Sequence, residues 1–115
     1  MKFLCLAYGD EAGWNSLSEE EKREVLDQDV VIRSRGNLMS AVRRTVTSVR
    51  NWDQNLEVNN EPFARNDLPL AGFSVIEARN VEEVVTLVSN TPCARARGVI
   101  EIRPFWEPGD DTGES

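Results

Sequence analysis

Val99-Ile100-Glu101-Ile102-Arg103-Pro104-Phe105-Trp106 closes the ordered part of the sequence and alternates along its length. Successive side chains of an extended chain point to opposite faces. Ile100 and Ile102 therefore share one face, and Val99, Glu101, Arg103 and Phe105 share the other. The first face suits a core. The second is too apolar for open water and too charged for a dry interior, which marks it as a cavity lining or a subunit interface.

Working back from that strand, the order of elements is set by period and punctuation. Residues 2–8 run apolar after Lys2 and stop at Gly9-Asp10, as a strand buried on both faces does. Residues 9–15 read as a loop carrying Asp10, Glu11 and Trp14. Ser18 and Glu21 form a capping box, and Glu19 and Glu20 favour the same helix end, so the pattern predicts a helix over 18–34. Val25, Leu26, Asp29 and Ile32 mark its inner face, widened by Val30 and Val31, and Gly36 ends it. Leu38–Arg44 is a short strand or connector, and β-branched Thr45–Trp52 is a strand. Asp53-Gln54 turns it into Leu56–Val58 as a hairpin. After a non-periodic stretch, Leu70–Ala78 is another strand, and Asn80 with Glu83 opens a second helix whose valines fall at helical spacing. Asn90-Thr91-Pro92 ends that helix.

Both helices have a single apolar face and both are flanked by strands. The economical solution is one antiparallel sheet with the two helices on one side, an α+β, ferredoxin-like protomer. One domain spans residues 1–107, followed by an acidic, frayed tail at 108–115.

The composition excludes several roles. A net charge of −7 repels phosphate backbones and disfavours nucleic acid as a partner. Among the 13 basic residues arginine dominates, which suits planar recognition of carboxylates or reflects compositional bias. The absence of histidine removes the usual general base near neutral pH and the commonest transition-metal ligand. Cys5 and Cys93 form no CxxC pair, so neither a metal site nor a disulfide framework is expected, and no cofactor is implied. Cys5, in an apolar run, reads as a small buried hydrophobe. No segment has the length of a signal core or a membrane span, so the chain is expected to be cytoplasmic with reduced thiols.

Several ordered pieces resemble the YCII-related family, in the branch marked by an Asp-Gly-Pro-Phe (DGPF) motif. They are Lys2–Glu11 with Trp14, Leu17-Ser18-Glu19-Glu20, Glu61-Pro62-Phe63-Ala64, Leu70-Ala71-Gly72-Phe73 with Ile76-Glu77, and Val99–Pro104. The resemblance implies a homodimeric α+β barrel, with two sheets packed face to face and a pocket between the helix-free face and the motif loop. It further implies either acid–base chemistry on a small organic molecule or a regulatory role. The motif is degenerate: Asn60-Glu61 replaces Asp-Gly, and Arg65 stands where the branch commonly has an acidic residue. Asn60 does not transfer a proton as a carboxylate does, and a His–Asp dyad is impossible here.

These departures favour a non-catalytic small-molecule-binding or regulatory module over a divergent cofactor-free enzyme. The candidate bases for the enzyme are Glu61, Glu101 and Asp10, each with a plainer role as a loop carboxylate, an ion-pair partner and a turn residue. The candidate ligand-binding residues are Tyr8, Asn60, Phe63, Arg65, Phe73 and Arg103, for a small anionic molecule. Arg103 would take the anion while Glu101 orients it. Phe63, Phe73, Trp14 and Trp106 are either an aromatic wall or core and interface. Arg33, Arg35, Arg43, Arg44 and Arg50 read as scattered solvated charges.

Overall fold

A computed structural model describes residues 1–110 of the chain. Its main sheet has four strands in the order β2 (Leu38–Ala41), β5 (Leu70–Glu77), β1 (Lys2–Tyr8), β6 (Val99–Pro104), and every pairing is antiparallel. Helix α2 (Glu19–Ser34) connects β1 to β2, and helix α3 (Val81–Val88) lies between β5 and β6. Each connection skips one strand, so two split β–α–β units interlock, which is the ferredoxin-like connectivity.

Register fixes the two faces. Met39, Ser74, Cys5 and Ile102 lie opposite one another across the strands, as do Leu38, Val75, Leu4 and Arg103 in the next row. Cys5, Phe3 and Ile76 join Ile32 of α2 and Val84 and Val88 of α3 in one core, with Met39, Ile100 and Ile102 packed against it. The helices therefore cover the face that the alternation of the last strand assigned to Ile100 and Ile102. On the opposite face Leu38, Val99 and Phe105 are 60%, 54% and 41% exposed.

Local signals set the helix ends. Ser18 and Glu21 exchange the expected capping bonds, with Glu21 N–H donating to Ser18 Oγ at 3.1 Å and Ser18 N–H to Glu21 Oε1 at 3.0 Å. Asn80 Oδ1 accepts from Glu83 N–H at 2.9 Å in the same way. Gly36 follows α2 with φ +84°, a conformation that costs glycine least.

Several expectations need correction. Residues 9–15 are not all loop: Glu11–Asn15 is a helical turn, α1, and Asp10 is its N-cap, Oδ1 accepting from Gly13 N–H at 2.9 Å. A second short helix, α4 (Pro92–Arg95), begins at the proline that ends α3, because Pro fits the first helical position. Leu26, Val30 and Val31 are exposed, and only Val25 and Ile32 of α2 are buried, so the inner stripe is narrower than the apolar run. The strand expected at 45–52 is β3, Ser48–Trp52, shorter at its start. The last strand stops at Pro104, and the strand expected to run to Ala78 stops at Glu77.

The largest difference concerns the hairpin. β3 and β4 (Asn55–Asn59) pair only with each other, so the sheet is not single. Asp53 and Gln54 make the turn with φ 55° and 62°, the left-handed geometry of a type I′ hairpin without its usual glycine. Of the expected tail, residues 108–110 lie in a turn where Glu107 N–H donates to Asp110 Oδ2 at 2.7 Å, and 111–115 lie outside the described residues. No helix among the described residues is long and apolar enough to cross a membrane.

Candidate functional site

The chain leaves β2 at Ala41 and crosses to the hairpin through residues 42–47, then returns to β5 through 60–69. These two non-periodic stretches face each other around a cleft of about 1020 Å³. Tyr8 enters the cleft from the end of β1, where the β1–β5 register slips between Ala7 and Tyr8. Such an irregularity re-aims the side chain it carries.

Short polar contacts hold the returning loop at both ends. Asn59 Oδ1 accepts from Glu61 N–H at 3.0 Å, an Asx turn, and Ser48 Oγ donates to the Glu61 carbonyl at 2.6 Å. Gly9 N–H donates to the Pro69 carbonyl at 3.0 Å, which pins the far end to the exit of β1.

Charge distinguishes this cleft from the rest of the surface. Arg43, Arg44 and Arg65 line it, and among the described residues none of them makes an ion pair; Glu61 and Asp67 are its acids. Arg35, Arg50, Arg79, Arg95 and Arg103 each have a carboxylate partner within 4 Å. Arg23, Arg33 and Arg97 also lack an ion-pair partner among the described residues, but three such guanidinium groups line this one cleft together in a chain of net charge −7.

The expected site residues distribute as follows. Tyr8, Arg65 and Glu61 line the cleft. Asn60 and Phe63 belong to the same loop but are turned out, Phe63 with 85% exposure. Phe73 stands in the helix-free row with Leu6, Glu101 and Ser40, away from the cleft. Arg103 Nε donates to Glu101 Oε1 at 3.1 Å, so these two form an ion pair along one strand. Asp10 is engaged as a helix cap. Trp14 packs beside Leu17 and Val25 with Lys22 Nζ 5.5 Å from its ring centre, while Trp106 is exposed, so no aromatic wall forms.

Arg43 and Arg44 are the residues that sequence reasoning undervalued. Their adjacency at a strand exit was visible, but their convergence with Arg65 depends on how the two loops cross. Among the described residues no group of three or more Cys, Asp or Glu side chains has metal-site geometry.

No protein-family model matches the chain, and no curated protein matches it. Among solved structures it is similar to 5-chloro-2-hydroxyhydroquinone dehydrochlorinase (TftG) from Burkholderia phenoliruptrix AC1100, determined in complex with 2,5-dihydroxybenzoquinone. The identity is 14% and the TM-score 0.47, over 95% of this chain and 96% of that one. A likeness of that degree decides neither the fold nor the chemistry of this chain.

Proposed function

We propose that the chain is a small-molecule-binding module that takes an anionic ligand in the arginine-lined cleft and works as a homodimer. The observation that carries this reading is the set of Arg43, Arg44 and Arg65 around one cleft without ion-pair partners among the described residues. Guanidinium groups bind carboxylate and phosphate through paired N–H donors, and the Tyr8 hydroxyl adds a donor at the edge. A binding or regulatory role is favoured over acid–base catalysis because two of the three candidate bases are engaged: Asp10 caps α1 and Glu101 pairs with Arg103.

Calorimetry with phthalate and with inorganic phosphate tests the ligand class. The wild-type chain binds at least one of them, and Arg44→Ala and Arg65→Ala each weaken it by about tenfold. Absence of heat with both anions overturns the reading.

The dimer rests on the helix-free face, where exposed Leu38, Val99 and Phe105 surround half-buried Leu4, Leu6 and Phe73. A second copy would cover this face and close the α+β barrel that the family resemblance implies. Light scattering at tens of micromolar protein is expected to return the mass of two chains; the mass of one chain refutes the dimer.

A further inference from the structure

The layer between sheet and helices is incompletely filled. Its floor is built from small residues, namely Cys5 and Ala7 on β1, Ala41 on β2, and Gly72 and Ser74 on β5. Ile32, Val88 and Pro92 roof it from the helices, and a cavity of about 240 Å³ remains between floor and roof. Larger side chains at Cys5, Ala7, Ala41 and Ser74 would narrow it, whereas a Cβ at Gly72 would meet the Ser40 carbonyl at 2.8 Å. An apolar cavity of about 150 Å³ already accepts a benzene-sized guest, so this one has room for a single ring with a short substituent.

The cavity has one polar end. Asp29 and Arg33, one turn apart on α2, both border it, and Cys93 borders it from α4. Desolvation pushes the Asp29 carboxyl above its ordinary range against the pull of Arg33, and burial with the Asp29 charge pushes the Cys93 thiol up as well. A thiol held protonated is a weak donor rather than a nucleophile. Neither Asp29 nor Arg33 belongs to an ion pair within 4 Å among the described residues. Because no fully buried side-chain oxygen there lacks a partner, the Asp29 carboxyl oxygens are accessible where the residue lines the cavity.

We propose that this cavity is a second binding site, for a small neutral molecule with an apolar body and one hydroxyl that donates to Asp29 and accepts from Arg33. A carboxylate only accepts hydrogen bonds and a guanidinium only donates them, whereas a hydroxyl does both. An ammonium ligand satisfies Asp29 but is repelled by Arg33, and an anionic ligand meets the reverse conflict. The ring or alkyl body lies against Ile32, Val88 and Ile100.

The test is a titration of the wild-type chain with p-cresol, toluene and 4-methylbenzylammonium, followed through the methyl signals of Ile32, Met39 and Ile100. p-Cresol is expected to shift these signals saturably and to bind roughly tenfold more tightly than toluene, as a hydrogen bond to a charged group at a partly wet site provides. Asp29→Leu narrows the gap between the two ligands by removing one of the hydroxyl's two partners, and Ala41→Leu, on the edge strand, fills the cavity and removes binding. Arg65→Ala leaves p-cresol binding unchanged, which separates this site from the anion cleft. Equal affinity for p-cresol and toluene in the wild type, tighter binding of the ammonium, or shifts confined to other methyl groups each overturn the proposal. The wild-type shift map decides the matter even if a variant fails to fold.

Discussion

Asp29 lowers stability at neutral pH, and the sign follows from its environment. Its pKa in the folded chain is raised by desolvation, with Arg33 opposing. The folded state therefore binds the proton more tightly than the unfolded chain does. The stability this provides is complete below the ordinary aspartate pKa of about 3.9 and is lost as pH rises through the folded value. Asp29→Asn is expected to raise the melting temperature at pH 7, with the gain vanishing near pH 3; an unchanged or lowered midpoint at pH 7 contradicts the assignment. Glu21 behaves oppositely. Hydrogen bonds from the Ser18 backbone and side chain hold its carboxyl below the usual range, aided by Arg95. Its contribution is present above the ordinary carboxylate range and is lost as pH falls. Ser18→Ala breaks the reciprocal bond and should cost about 1 kcal/mol in urea unfolding. The Ser18–Glu21 and Asn80–Glu83 pairs were fully legible in sequence, since a cap needs only residues three apart. Asp29 was legible on the inner face of its helix, but the cavity it borders was not, because the small residues of the floor come from three different strands.

Element by element, the long helices and the main strands were readable because each carries a period. The short helices were not. α1 and α4 span five and four residues, too few to show a period, and in sequence Asp10 reads as a turn residue and Pro92 as the end of the preceding helix. They matter because they place the loops at the sheet's end. Arg95 of α4 reaches Glu21 at 3.4 Å and Glu24 at 3.6 Å on α2, and a Cβ at Gly13 of α1 would collide with the Ala96 carbonyl. Gly13→Ala is expected to lower the thermal midpoint by separating α1 from α4, and this loss should exceed that of Gly36→Ala, whose Cβ meets nothing within 4 Å but whose φ of +84° resists a side chain. A loss at Gly13 no greater than that at Gly36 would contradict the close approach of α1 and α4 as a constraint on stability. The hairpin illustrates a different limit. Its alternation and turn were read correctly, yet nothing in a strand's own residues says which sheet it joins.

At the scale of the whole molecule, the helix-covered face and the open face were both visible in Val99–Phe105, while the arginine cleft was not. Arg43, Arg44 and Arg65 are separated in sequence by the entire hairpin, and only the crossing of two irregular segments gathers them. Because the cleft is open and its charges are exposed, anion binding there should weaken steeply between low and high salt. Binding in the 240 Å³ cavity should respond far less, since the ligand proposed for it carries no net charge. The hairpin adds a consequence in time rather than in space. Val49, Leu56 and Val58 lie on one face of the ribbon and are exposed, and Trp52, 70% exposed, has the Arg50 guanidinium 4.6 Å from its ring centre. A two-stranded ribbon held by its own ladder is marginal in water. Its amide protons should therefore exchange with solvent through local opening, indifferent to low denaturant, while those of Phe3 and Ile76 wait for the body to unfold. Hairpin amides as slow as the core's would reveal that in solution another surface already lies against it.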